Sequence, residues 1–150
     1  MIVVLDTNVI ISSLLSSKGA PAEIVRRWEA EVFEVVTSPP LLEELGRALH
    51  YEQVARYLKQ PQEQIDLFVR RFGVVATLVE PQTTLEAVAG DPDGNRVLEC
   101  AVAGGASYIV TGDAHLLDLG DYQGIVILKP RSFLSVLDLQ GAERPQSPDA

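Results

Sequence analysis

A chain of 150 residues, 47% of them hydrophobic, suffices for one domain with an ordinary core. Its 21 acidic and 12 basic side chains leave a formal charge of −9, which excludes the broad basic footprint of a protein that grips nucleic acid by bulk electrostatics. Any nucleic-acid site must then be a local basic patch or must recruit cations. Cys100 is the only cysteine, so no intrachain disulfide forms and a reducing, cytoplasmic setting fits. Its neighbours Val97, Leu98 and Ala101 read as a packed helix, so a buried, inert thiol is expected. No basic leader precedes the first apolar run, and no run approaches the length of a membrane span.

The chain opens with Ile2-Val3-Val4-Leu5, a short strand buried on both faces that stops at Asp6-Thr7-Asn8. A helix follows through Val9, Ile10, Leu14 and Leu15 and breaks at Ser16-Ser17-Lys18-Gly19. Pro21 opens the next helix, with Ile24, Val25 and Trp28 on its apolar face. The second strand is Phe33 to Thr37. Ser38-Pro39 starts a helix by a capping hydroxyl and an N-terminal proline. Along it Leu41, Leu42, Leu45, Ala48 and Leu49 form one stripe. At roughly 100° per residue, Glu43 falls nearly opposite that stripe and Glu44 at its border. Glu43 should be solvated. Glu44 can press against the sheet edge, or be an ordinary boundary carboxylate.

A short helix is expected over Tyr51 to Leu58, and a longer one from Pro61 through Ile65, Phe68, Val69 and Phe72, ended by Gly73. Arg47, Arg56, Lys59, Arg70 and Arg71 concentrate the scarce cations here. They are solvated helix faces or a phosphate-contacting rim. Val74 to Glu80 reads as a third strand, and Leu85 to Val88 as a short helix within a connection. Asp91-Pro92-Asp93-Gly94-Asn95 leads into a helix through Val97 to Val102. Ser107 to Thr111 is the fourth strand, again stopping in polar residues, Thr111-Gly112-Asp113. A helical turn over Ala114 to Leu119, a fifth strand over Ile125 to Leu128 and a helix over Ser132 to Leu139 complete a domain of residues 1–139. The polar residues 140–150 are expected to be a disordered tail. Strands alternating with helices imply an α/β three-layer sandwich around a mostly parallel five-stranded sheet. Right-handed crossovers place the ends of the first and fourth strands, and so Asp6 and Asp113, on one edge.

Four acidic points result: Asp6, Glu44, the Asp91/Asp93 pair and Asp113. Carboxylates converging without lysine or arginine repel one another unless a cation neutralises them. Hard oxygen ligands with no His or Cys among them suit Mg²⁺ or Mn²⁺. Locally, Asp-Pro-Asp-Gly is also a turn sequence, and Asp91-Pro92 an N-cap followed by a first helical residue.

In Leu5-Asp6-Thr7-Asn8-Val9, Ser38 with Leu42-Glu43-Glu44-Leu45, Asp91-Pro92-Asp93-Gly94-Asn95 and Ile109-Val110-Thr111-Gly112-Asp113, the chain resembles PIN-domain proteins of the VapC type, toxins of bacterial toxin–antitoxin pairs. The resemblance spans roughly residues 1–139. It implies an Mg²⁺- or Mn²⁺-dependent endoribonuclease acting on RNA, a homodimer and a small antitoxin partner. By position Asp6, Glu44 and Asp113 match three acidic residues of the family, and Asn8 matches a polar support. The usual fourth acid would stand at Gly94. Asp93, one residue earlier, is the residue expected to complete the catalytic and metal site, with Asp91, Thr111 and His115 in support. His115 replaces a usual Asp, Asn or Ser, and reads as a ligand, a phosphate donor or a solvated loop residue. Gly94 also leaves open an attenuated PIN domain that binds RNA or protein without cutting. A phosphotransferase with an aspartate nucleophile is disfavoured, because Asn8 stands where its second Asp would be.

Overall fold

The computed structural model describes residues 1–58 and 60–143; Lys59 and residues 144–150 lie outside them. The chain runs β1 (Ile2–Leu5), α1 (Thr7–Leu15), α2 (Ala20–Glu29), β2 (Glu34–Thr37), α3 (Pro39–Leu49), α4 (Glu52–Ala55), α5 (Gln62–Val75), β3 (Thr77–Leu78), α6 (Pro92–Gly104), β4 (Tyr108–Val110), α7 (Ala114–Leu119), β5 (Asp121–Tyr122), β6 (Ile125–Leu128) and α8 (Pro130–Glu143). The strands form one sheet in the order β3-β2-β1-β4-β6-β5, parallel except for the β5–β6 pair. The α/β, mostly parallel architecture matches the sequence expectation.

Alternate strand residues feed two cores, which is what makes the fold three-layered. Val3, Leu5, Val35 and Val110 pack with Val9, Ile10, Ile24, Leu45, Phe72 and Phe133 on one face. Val4, Val36, Ile109 and Ile127 pack with Val97, Leu98, Ala101 and Leu116 on the other. Strand β1 sits in the middle, between β2 and β4. The chain leaves β1 toward β2 and later returns to β4 on the other side. The crevice above the ends of β1 and β4 is therefore the switch point of the sheet, the place where such folds bind ligands.

Several local expectations need correction. The sheet has a sixth strand, β5, joined to β6 by a two-residue turn at Gln123-Gly124 with φ of 50° and 83°. Two positive φ values suit a tight hairpin turn usually signalled by Asn-Gly or Asp-Gly, and glutamine hides it. Gly73 does not end its helix. It lies inside α5, where a Cβ would be 3.4 Å from Leu42 Cδ1, so it serves close packing of α5 on α3. The helix takes in Val74 and Val75, leaving only Thr77–Leu78 as strand. The helix foreseen over Tyr51 to Leu58 shrinks to the four residues of α4.

Residues 81–90 form no helix; their conformation is set by side chains of α6. Asn95 bonds both the N–H and the carbonyl of Val88, at 2.8 and 2.9 Å, while buried Glu99 accepts from the Leu85 N–H and pairs with Arg96 at 2.8 Å. Helix α8 continues to Glu143, into the stretch expected to be tail.

Ser38 occupies the N-cap of α3 but makes no capping bond there. Pro39 and Pro40 have no N–H to offer, so two of the usual orphan donors are missing. Its hydroxyl lies instead beside Cys100, which is fully buried and whose thiol burial pushes up to about 12. Cys100 should therefore resist alkylation in the native protein and react only on unfolding. Labelling with iodoacetamide across a urea titration, followed by intact mass, tests this.

Candidate metal centre at the sheet switch point

Asp6 leaves β1 at the crevice and caps α1. It is 6% exposed. Its Oδ1 accepts the Thr7 N–H at 2.7 Å, and its Oδ2 accepts the Thr111 hydroxyl at 2.7 Å and the Asn8 amide at 3.4 Å. Thr111, fully buried at the end of β4, also accepts the Asp113 N–H at 2.9 Å through the same hydroxyl oxygen. Asn8 returns to β4 by accepting the Gly112 N–H at 3.0 Å. The two strand ends are thus tied by side chains, and Asp6 and Asp113 are held in fixed relation.

Burial, opposed by the Thr111 and Thr7 hydrogen bonds and aided by the charges of Asp113 and Asp91, raises Asp6 to about 6. Glu44 comes in from α3, half-buried, while Glu43 is exposed, as the helix phase expects. Burial, then the carboxylates of Asp93 and Asp6, push Glu44 up to about 7. Asp113 is raised by burial and by Asp91, which it touches; Asp91 is lowered chiefly by that same contact. Two carboxylates in contact need a proton or a cation between them. Among the described residues no lysine or arginine pairs with Asp6, Glu44, Asp91, Asp93 or Asp113; the exposed His115 alone reaches Asp113 and Asp91, at 3.4 and 3.8 Å. Asp91, Asp113 and His115 each bring one ligand atom within 4.8 Å of the others. Clustered oxygen donors with no lysine or arginine paired to them among the described residues fit a hard divalent cation.

A comparison with protein families matches the PIN-domain model over residues 2–115, well over half of the chain. The chain belongs to the PIN-domain family. An uncharacterized protein of Methanocaldococcus jannaschii is 33% identical to it over 119 residues, covering 79% of this chain and 75% of the relative. PIN domains are generally nucleases that use divalent metal ions, and the acidic crevice of this PIN domain suits that chemistry.

Of the residues singled out in the sequence, this PIN domain gathers Asp6, Asn8, Glu44, Asp91, Asp93, Thr111, Asp113 and His115 at one edge of the sheet. Asp93 is exposed and acts on Glu44, whereas Asp91 is the one against Asp113. The basic rim gathers only in part. Exposed Arg47 acts on Glu44, but Arg71 lines a groove of about 640 Å³ at the strand starts, among Trp28, Phe33 and Phe72. Sequence reasoning passed over Thr7, whose side chain stands by Glu44 and eases its charge, and Asn95, which fixes the loop carrying Asp91. Thr7 sits beside Asp6 and could have been found there; Asn95 offers no periodic signal.

Thr111→Val keeps the shape and removes the hydroxyl that serves both strand ends. A loss of about 1–3 kcal/mol is expected from the unpaired buried groups, read by urea unfolding in the presence of chelator.

Proposed function

We propose that this protein is a divalent-metal-dependent endoribonuclease, the toxin of a toxin–antitoxin pair, with Asp6, Glu44 and Asp113 holding Mg²⁺ or Mn²⁺. The observation that carries the reading is the convergence of these three carboxylates at the switch point, with Asp6 and Glu44 raised toward neutrality and, among the described residues, no lysine or arginine paired to them. A bound ion would neutralise the cluster and stabilise negative charge on a phosphodiester under attack by water. The protein's own part is positioning. Thr111 and Thr7 orient Asp6, and exposed His115 and Arg47 stand where they can contact substrate phosphates. An acidic crevice also fits an antitoxin segment that inserts arginine or lysine. A cytoplasmic homodimer is part of the same reading.

The test is incubation with end-labelled single-stranded RNA and Mn²⁺, with chelator as control. Wild type and Glu43→Gln should cut, and Glu44→Gln should lose at least about tenfold in rate. Equal cutting by both variants would sink the assignment of Glu44. A second reading, an RNA-binding PIN domain without cleavage, rests on glycine at position 94. It expects metal-independent RNA retention on filters and no products in Mn²⁺.

A further inference from the structure

Asp91 caps α6. Its Oδ1 accepts the Gly94 N–H at 3.0 Å, which spends that oxygen on the helix. Its Oδ2 is buried and, among the described residues, accepts no N–H or hydroxyl hydrogen; the carboxyl's other contact is with that of Asp113. A buried acceptor left unpaired is costly, and this one faces Asp113 and His115, the other two members of the three-residue cluster. Asp91 and Gly94 are three residues apart, so they share one side of the first turn. A Cβ built on Gly94 would lie 2.9 Å from Asp91 Cγ and closer still to Oδ2. A side chain at position 94 would therefore push the Asp91 carboxylate out of the position that it holds here. Asp93, by contrast, is exposed and acts on Glu44.

We propose that Asp91, not Asp93, supplies the carboxylate that completes the divalent-ion site with Asp6, Glu44 and Asp113, and that Gly94 is the residue that makes room for it. This rests on the metal-dependent reading above. Asp91 divides its two oxygens between structure and ligation. The helix cap holds Oδ1, and the rigidity of that bond presents Oδ2 to the ion. On this assignment Gly94 leaves the Asp91 carboxylate in place, and the pattern Asp-Pro-Asp-Gly displaces the ligand by one turn without losing it.

Mn²⁺ binding to the purified full chain, followed by calorimetry and by the electron paramagnetic resonance signal of free Mn²⁺, tests this without any activity readout. Asparagine caps a helix as well as aspartate, so Asp91→Asn should melt like wild type in chelator yet bind Mn²⁺ about tenfold or more weakly. Asp93→Asn should stay within about threefold of wild type, the scale of a nearby charge rather than a ligand. Gly94→Ala should weaken binding by driving the Asp91 carboxylate off. Wild-type affinity in Asp91→Asn, or a larger loss in Asp93→Asn, would overturn the assignment. Wild-type affinity in Gly94→Ala would overturn the role given to Gly94. No Mn²⁺ binding by wild type itself would instead strike the metal-dependent reading, and this assignment with it.

Discussion

Replacing Asp6 by asparagine should abolish metal-dependent RNA cleavage and, in chelator at pH 8, make the protein more stable. Both follow from one placement. Asp6 is buried, and its pKa is raised from 3.8 to about 6. A raised folded-state value means that the native protein keeps a proton which the unfolded chain has lost. The stabilisation is complete below about pH 4 and gone once the pH passes about 6. Above that, native Asp6 is charged in a poorly solvated site. At about 1.4 kcal/mol per pKa unit, the cost relative to an ordinary aspartate is about 3 kcal/mol. The asparagine side chain would still accept from the Thr7 N–H and face Thr111, and it carries no charge to desolvate. Urea melts of Asp6→Asn and wild type should coincide near pH 4 and separate in favour of the variant at pH 8. The cleavage rate should fall at least about a hundredfold, since loss of a charged ligand removes several kcal/mol of transition-state stabilisation. A variant less stable than wild type at pH 8 would mean that Asp6 is paired there after all. Stability gained by removing a functional carboxylate is the mark of a site held against the preference of the fold.

The fold was legible because its signals are redundant. Ile2–Leu5 and Tyr108–Val110 are short apolar runs each followed by a helix, and parallel pairing with helical crossovers is the common way to bury both their faces. The errors sit where one residue type serves two purposes. Gly73 reads as a helix stop and is a packing contact with Leu42; Val74 and Val75 favour strands by composition but follow α5 around its last turn. Tertiary contact decided both, and a single sequence does not carry it.

The site divides in the same way. Strand ends and helix phase bring Asp6, Asp113 and Glu44 together, because an α/β sheet and a helix of known period leave little freedom. The proposed preference for Asp91 over Asp93 is not legible in the pattern. It depends on a cap rotamer, on the absence of a Cβ at Gly94 and on a loop clamped by Asn95 and Glu99. Those are distances, and one residue at a helix start turns a side chain through roughly 100°. The Thr111 hydroxyl, placed in support from the sequence, is central: it is the one atom that bonds both Asp6 and the Asp113 backbone.

Thermal stabilisation by Mn²⁺ should grow steeply between pH 5 and pH 8. In the metal-free protein Asp6 is raised to about 6 and Glu44 to about 7, each by burial first. At pH 5 both carboxyls are largely protonated, so a cation must displace protons to bind. At pH 8 both are charged, and the metal-free protein carries unneutralised, partly desolvated carboxylates that the ion relieves. Each proton displaced makes apparent affinity rise about tenfold per pH unit below the relevant pKa. The dependence should flatten above about pH 7, where no proton remains to be released. Stabilisation scales with the logarithm of ligand concentration over Kd, so a fixed Mn²⁺ concentration gives a melting shift near zero at pH 5 and a plateau near pH 8. Asp6→Asn should lie close to zero throughout. A wild-type shift independent of pH would show that the ion binds where no raised carboxylate contributes, and would place it outside the crevice between β1 and β4.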